Sequence, residues 1–385
     1  MMKQYLEIKK DNPDSILFFR LGDFYEMFAD DAKLASRELD LTLTSRDHGK
    51  HAKPEEERVP MCGVPFHSVD GYLAKLIRKG YKIAICDQME DPKKAVGIVK
   101  RQVTKILTPG TVLSDAVLEE NHNQYLACLE QQEDTLCLAY ADVSTGECAW
   151  YTARGKDREE AVLDQLYRIQ PAELVLTEST EAFGGLLDKM VQKLPDCMVN
   201  QYDPVPGLDY FTRHFGSDCP AGKLPLVRGT VEHMLQYIHE NVKSDLAQIN
   251  RLREITTDAV MNLDATAIRN LELVKNMKDG TRHGTLLDVL DYTRTAMGAR
   301  QLRQWVEAPL LDTARIRLRQ QAIGWMVGNA RFRTDLGDAL SEITDLERIL
   351  SRIEVGSANA RDLAALRTAL RALPQVKSLL DQVPQ

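Results

Sequence analysis

The stretch Ile16-Leu-Phe-Phe-Arg-Leu-Gly-Asp-Phe-Tyr-Glu-Met-Phe28 organises the N-terminal part of this 385-residue chain. Its apolar start, Ile16–Phe19, is typical of a buried strand, and Gly22-Asp23 is a turn sequence. Apolar side chains then recur at helical spacing, which predicts a helix over residues 25–39. A strand, turn and helix joined in this way present side chains at an exposed tip, where binding residues are common.

Phe24 and Glu26 are the candidate functional residues at this tip. A flat aromatic ring can wedge between stacked bases, and a carboxylate can accept a hydrogen bond from a base edge. The same residues also fit a structural role. Asp23 and Glu26 have the spacing of a capping box, and Phe24 flanks the apolar arc of the predicted helix. Periodicity alone therefore leaves a capping-and-core role open.

The composition is that of a globular protein, with 44% hydrophobic and 28% charged residues. The length predicts two or three domains. No apolar run approaches the roughly 18 residues of a membrane span, and the N-terminus lacks the apolar core of a signal peptide. The seven cysteines are odd in number and form no Cys-x-x-Cys. This pattern favours a reduced, cytoplasmic setting over a disulfide framework or a zinc site.

The negative charge is concentrated in the middle of the chain. Residues 1–115 carry 19 Lys+Arg and 18 Asp+Glu, residues 116–250 carry 10 and 22, and residues 251–385 carry 20 and 17. Contact with nucleic acid phosphates needs local cationic surface. The middle region is therefore a poor candidate for it, and the two flanking regions permit it.

Several short motifs follow one another in the first part of the chain: Asp23-Phe-Tyr-Glu26, Asp30-Asp-Ala-Lys33, Pro60-Met-Cys-Gly-Val-Pro65 with His67, Tyr72-Leu-Ala-Lys-Leu76, Ala84-Ile-Cys-Asp-Gln88 and Thr108-Pro-Gly-Thr111. In this order they resemble the mismatch-recognition domain of the MutS family of DNA mismatch repair proteins. The resemblance implies that Phe24 stacks on a mispaired or unpaired base and that Glu26 hydrogen-bonds this base. The negative charge of Glu26 then selects against normal duplex, or Glu26 binds as the neutral acid.

The middle of the chain predicts an α/β domain with an RNase H-like fold. Three strands are expected close together, and helix-like runs then alternate with short strands. This order resembles the connector domain of MutS, which implies contact with MutL. RNase H-like nucleases hold metal ions on strand carboxylates, and Asp142 ends the second strand. The alternative role for Asp142 is to cap the following turn.

From Val231 onward the sequence predicts an almost wholly helical region. Motifs such as Leu263-Asp-Ala265, Gly284-Thr-Leu-Leu287 and Leu346-Glu-Arg-Ile-Leu350 resemble the core of MutS. The expected fold class is thus a small mixed α/β domain, an RNase H-like connector and a helical core bundle. The expected boundaries are 1–115 for mismatch recognition, 116–124 for a linker, 125–250 for the connector and 251–385 for the first part of the core.

The resemblance covers only the N-terminal half of a MutS protein, so we expect the chain to be a piece. The phosphate-binding pattern Gly-x-x-x-x-Gly-Lys-Ser/Thr is not in the sequence, and Gly222-Lys223 lacks its other members. ATP and Mg²⁺ are therefore expected only for the missing part, and enzyme activity stays open. The family's homodimer is likewise in doubt for these residues, because it forms mainly through the missing domain.

Some basic residues and histidines have a less specific interpretation. Lys100, Arg101 and Lys105 lie in a predicted strand, where they could contact phosphates or simply face solvent. Arg315, Arg317 and Arg319 are expected on a solvated helix surface. The polar loop 45–58 contains His48 and His51, whose spacing would suit a metal only on a helix, so we interpret them as solvated.

Overall fold

The first sheet has six strands and is built around the strand that contains Phe18. The computed structural model describes residues 1–45, 59–90, 99–256 and 259–383. The strand order is β3-β4-β2-β1-β5-β6. The strands are β1 (Ser15–Leu21), β2 (Phe24–Phe28), β3 (Thr44–Ser45), β4 (Pro60–Pro65), β5 (Lys82–Gln88) and β6 (Arg101–Leu107). Strand β1 runs antiparallel to β2 and parallel to β5, which makes the sheet mixed.

The helix predicted over residues 25–39 begins later than expected. Residues 24–28 form β2, and the helix occupies only Ala29–Leu39. Tyr25 and Met27 bury their side chains on one face of the sheet while Phe28 is buried on the other. Apolar residues with this alternation also match part of a helical pattern. Because Glu26 lies within a strand, the capping-box role is wrong.

Helices cover both faces of this sheet. The helices are α1 (Met2–Asp11), α2 (Ala29–Leu39) and α3 (Val69–Arg78). One face packs with α2 and α3 around Phe18. The other face packs with α1 through Tyr5, whose ring lies edge-on against Phe19 and Phe28 at centroid distances of 5.5 and 5.0 Å. The β1–β2 turn lies at the end of the sheet where Phe24 is exposed.

The second sheet has the RNase H-like arrangement. Its order is β11-β10-β7-β8-β9-β12, in which β7, β8 and β9 are antiparallel and β10 and β11 run parallel to β7. The strands are β7 (Leu126–Gln132), β8 (Thr135–Asp142), β9 (Glu147–Arg154), β10 (Glu173–Leu176), β11 (Met198–Gln201) and β12 (Arg253–Glu254). The helices are α4 (Arg158–Ile169), α5 (Gly184–Lys193), α6 (Tyr210–Phe215) and α7 (Pro225–Val242). Helices α4 and α5 cover one face, and α7 covers the other.

Asp142 is a turn-capping residue. Its Oδ1 accepts hydrogen bonds from the backbone amide of Ser144 at 2.8 Å and from the Ser144 hydroxyl at 2.6 Å. Its Oδ2 accepts from Asn123 Nδ2 at 2.9 Å and from the Gln124 amide at 3.1 Å. Within the described part of the chain, no three His, Cys, Asp or Glu side chains come together as metal ligands. These contacts do not favour the nuclease alternative.

The C-terminal region is helical, which confirms the predicted change from α/β to all-α. Its helices are α8 (Ala265–Asn270), α9 (Leu286–Leu290), α10 (Ala296–Glu307), α11 (Thr313–Gly328), α12 (Ala330–Ser341), α13 (Leu346–Glu354) and α14 (Ala360–Leu380). The helical prediction from Val231 is right for residues 231–242, which belong to α7 on the second sheet, and wrong for the residues after α7, which ends where Lys243 has a φ of 55°. No helix forms among the described residues between Lys243 and Asp264. None of the helices in the described ranges is long and apolar enough to cross a membrane.

Candidate nucleic-acid interface

Phe24 is the first residue of β2 and presents its ring at the end of the first sheet, beside the β1–β2 turn. It is paired with Leu21 across the β1–β2 hairpin and with Pro65 of β4 on the other side. Its side chain is nonetheless 47% exposed, whereas Tyr25 next to it is buried. The core role for Phe24 is therefore wrong. Two flanking strands fix the backbone of an aromatic residue whose ring remains accessible.

Glu26 follows two residues later and lies on the same face of β2 as Phe24. It is partly exposed and pairs with Phe19 of β1 and Gly63 of β4. A Cβ at position 63 would lie 3.4 Å from Glu26 Cγ and 3.2 Å from the carbonyl oxygen of Tyr25. Glycine at this position therefore leaves the Glu26 side chain room beside strand β4.

The turn between β1 and β2 is braced by contacts that the sequence did not reveal. Gly22 has a φ of 58°, which a residue without Cβ adopts at low cost. Arg20 Nε donates a 2.5 Å hydrogen bond to the Gly22 carbonyl oxygen, and its guanidinium carbon lies 3.5 Å from the ring centroid of Phe66. The Phe66 amide donates to the Asp23 carbonyl oxygen at 2.9 Å. In the sequence, the one indication of this bracing is that Arg20 and Phe66 each lie beside one of the quoted motifs.

The three basic residues near β6 differ in accessibility. Lys100 and Lys105 are exposed, so phosphate contact stays a prediction for them. Arg101 is only 8% exposed and lies 5.1 Å from the Phe19 ring centroid. Its Nε donates to the Arg20 carbonyl oxygen at 2.7 Å. The phosphate role suggested for Arg101 is therefore wrong, and it is a structural residue beneath the hairpin.

The remaining candidates fall in two groups. Arg315 and Arg317 are exposed on α11, and the Arg319 guanidinium stacks 3.7 Å from the ring centroid of Trp305, as expected for a helix surface. The loop histidines His48 and His51, with the rest of residues 46–58, lie outside the described residues.

Comparison with protein-family models finds three matches in chain order. Residues 1–116 match MutS domain I, residues 124–204 match MutS domain II, and residues 266–385 match MutS domain III. The first two matches fall on the two sheets, and the third falls on the helical region.

Curated relatives match over the same length. The DNA mismatch repair protein MutS of Pelotomaculum thermopropionicum is 44% identical over 99% of this chain, and that of Desulforamulus reducens is 44% identical over 100%. The MutS of Symbiobacterium thermophilum is 43% identical over 100% of the chain. In each case the match covers 44% of the relative, so the chain spans less than half the length of these proteins. The three domain matches and these relatives together show that the chain belongs to the MutS family.

Proposed function

We propose that this chain recognises mispaired or unpaired bases in double-stranded DNA, as the first step of mismatch repair. The observation that carries the proposal is the exposed ring of Phe24 at the start of β2, with Glu26 on the same face. The proposal also draws on the three family matches, because the part that matches MutS domain I contains both residues.

The proposed mechanism uses the deformability of DNA. A mispaired step is poorly stacked and bends at lower cost than a normal step. Phe24 enters from the minor groove, stacks on one base of the mispair and holds a kink, at an unstacking cost of a few kcal/mol. A rigid wedge suits this task, because little side-chain and backbone entropy is lost on binding. The braced turn at Gly22 and the pairing of β2 on both sides supply that rigidity.

Glu26 supplies the discrimination in this proposal. Its carboxylate accepts a hydrogen bond from the base that Phe24 displaces. In a normal duplex the base edges are already paired, so the bases offer this carboxylate no hydrogen bond and the phosphates repel it. That repulsion penalises binding to normal duplex more than binding to a mispair.

A competition experiment tests the function itself. A labelled duplex with one G·T mispair or one unpaired T is bound to the chain at about 0.1 M salt, because such affinities depend strongly on salt. Unlabelled mispaired and matched duplexes of the same flanking sequence then compete. We expect the mispaired competitor to displace the label at a lower concentration. Equal competition, or no binding to any duplex at tens of micromolar, would contradict the proposal for this chain.

The wider properties of the family remain proposals for this chain. Residues 1–115, 125–250 and 251–385 are the proposed domains, and the linker 116–124 joins the first two.

The acidic middle region, with 22 Asp+Glu against 10 Lys+Arg in residues 116–250, supports contact with a protein partner such as MutL over contact with DNA. Binding of purified MutL that weakens on Glu181→Lys would support this second role.

ATP, Mg²⁺ and dimer formation are proposed for the remainder of a full-length protein. The free state of all seven cysteines supports a cytoplasmic location.

A further inference from the structure

Two buried arginines of the helical region bind the segment that joins the first sheet to the second. We call residues 112–124 the junction segment. Arg300 of α10 donates to the carbonyl oxygen of Glu120 at 2.9 Å, and Arg348 of α13 donates to that of His122 at 2.7 Å. Both arginine side chains are only 4% exposed. A buried guanidinium that donates to a backbone carbonyl of another domain fixes the position of that backbone.

Carboxylates on the helical side hold these guanidinium groups in place. Arg300 makes a two-point contact with Asp345, with N···O distances of 2.7 and 2.9 Å, and a further contact with Glu347 at 2.7 Å. A paired arginine keeps its planar donor set in one orientation, so its remaining N–H is aimed at the junction segment. The contact with Glu120 therefore belongs to a fixed network and is not a mobile surface interaction.

A third arginine binds the beginning of the junction segment through a side chain. Arg352 of α13 donates to Asp115 Oδ1 at 2.8 Å and to Asp362 of α14 at 2.7 Å. Arg348 and Arg352 lie four residues apart on one helix and so point from the same face. One face of α13 thus contacts the junction segment at two separate points.

The junction segment is also attached to both sheets. Val112, Val117 and Leu118 are buried in the core beneath the first sheet. At the other end, Asn123 and Gln124 donate to Asp142 of β8. The segment has no helix or strand, yet it contacts all three parts of the chain.

We propose that Arg300, Arg348 and Arg352 are positioning residues, which fix the junction segment to the helical region and thereby set the orientation of the Phe24 hairpin relative to that region. Only the link between this orientation and mispair recognition rests on the proposed function; the effect on orientation itself does not. The three residues touch no DNA in this scheme. They act through the junction segment, because the first sheet is joined covalently to the rest of the chain there.

The first test measures order in the junction segment without DNA. We expect amide hydrogen exchange in residues 112–124 to become at least about tenfold faster in Arg348→Ala, as for loss of a buried hydrogen bond to a charged group. Arg348→Lys retains a donor and should restore part of the protection. Arg315→Ala removes an exposed arginine of the same region and should leave exchange unchanged. Equal exchange in Arg348→Ala and the unsubstituted chain would overturn the proposal.

The second test measures orientation. Spin labels at positions 10 and 320 report the distance between α1 and α11, in a chain where the two partly exposed cysteines, Cys197 and Cys219, are replaced by serine. We expect one narrow distance distribution that broadens in Arg300→Ala and in Arg348→Ala, and that stays narrow in Arg315→Ala and in Phe24→Ala. A distribution that stays narrow in both buried-arginine variants overturns the proposal.

A pair of less disruptive substitutions provides a third test, which remains available if the variants of the buried arginines fail to fold. Asp115 is 64% exposed and Arg352 is 13% exposed in their side chains, so Asp115→Asn and Arg352→Gln are tolerable changes. Their effects on junction-segment exchange should be non-additive in a double-mutant cycle, because both remove the Arg352–Asp115 contact, although Arg352→Gln also removes the contact with Asp362. Additive effects would contradict the proposal. Phe24→Ala should lose the mispair preference while its spin-label distance distribution stays narrow. The proposed function and the orientation of the hairpin are therefore tested independently.

Discussion

The backbone amide of Gly110 donates a 2.9 Å hydrogen bond to Oε2 of Glu173, a carboxylate with no exposed surface. Thr108 Oγ1 donates to the same oxygen, while Asn200 Nδ2 at 2.6 Å and the Tyr237 hydroxyl donate to Oε1. The segment Thr108-Pro-Gly-Thr111 therefore docks the end of the first sheet onto strand β10 of the second.

Substitution of Gly110 should loosen this contact. A Cβ at position 110 would lie 2.8 Å from Leu126 Cβ and 3.0 Å from Glu173 Cβ. We expect Gly110→Ala to cost about 1–3 kcal/mol through overpacking, seen as a lower thermal unfolding midpoint. Gly71→Ala is the matched control, because a Cβ there meets nothing within 4 Å in helix α3. It should raise stability by about 0.5–1 kcal/mol. Equal midpoints for the two variants would show that Gly110 is not tightly packed.

Removal of the negative charge at Glu173 should also destabilise the chain. Both oxygens of the Glu173 carboxylate accept hydrogen bonds. Glu173→Gln replaces one oxygen with an amide N–H, which then faces a neighbouring donor. We expect a cost of about 1–3 kcal/mol, together with faster amide exchange at Gly110. Glu181→Gln, at an exposed position, controls for the loss of a charge. A Glu173→Gln chain as stable as this control would refute the described role of Glu173.

His122 should make the junction segment sensitive to acid. Burial, followed by the charge of Arg303, lowers the pKa of His122 to about 3. The unfolded chain takes up a proton near the ordinary histidine pKa of about 6.5, which the folded chain does not accept. Stability is therefore retained above pH 6.5 and is lost as pH falls from 6.5 towards 3.

The measurement compares the unsubstituted chain with His122→Gln between pH 7.5 and pH 5. The unsubstituted chain should lose up to about 2 kcal/mol more than the variant, since one pKa unit corresponds to about 1.4 kcal/mol. Because carboxylates titrate in both chains, only the difference between them reports on His122. A difference of zero would mean that His122 accepts its proton normally in the folded chain.

Neutralisation of Glu26 should weaken discrimination by raising the affinity for normal duplex. Two charges about 4 Å apart interact by about 1 kcal/mol in water, so we expect Glu26→Gln to bind matched duplex up to about fivefold more tightly. The mispaired duplex should gain less, because its hydrogen bond to the carboxylate is weakened. Glu181→Gln again serves as the control for net charge. If Glu26→Gln leaves the affinity for matched duplex unchanged, repulsion has no part in selectivity.

The sequence predicts the second sheet well because its signals are local. Turn residues such as Ser144 and Gly146 separate strands that pair with their nearest neighbours. Helix α4, Arg158–Ile169, is one of the helix-like runs predicted to alternate with short strands here. The change from α/β to helical structure is predicted by a change in composition, because glycine and proline become rare and leucine and arginine become common.

The errors arise where distant residues decide the structure. Residues 24–28 pair with the neighbouring β1 and also with β4, residues 60–65, and no local window contains this second partner. Arg101 is buried because the Arg20 carbonyl oxygen and the Phe19 ring meet it from another strand. For the candidate site, the sequence identified Phe24 and Glu26, but the bracing by Arg20 and Phe66 depends on a contact between separate motifs.

The most direct test of the account is the preference of the chain for a mispair with and without the Phe24 ring. Binding to duplex with one G·T mispair or one unpaired T is compared with matched duplex at about 0.1 M salt. Tyr292→Ala, which removes an aromatic ring that is 86% exposed in the helical region, is the control. We predict that the unsubstituted chain and Tyr292→Ala prefer the defect, and that Phe24→Ala loses at least about fivefold of this preference, since stacking on a base contributes about 1–3 kcal/mol. Equal preference in Phe24→Ala and the unsubstituted chain would contradict the account, because the ring of Phe24 would then not be the wedge.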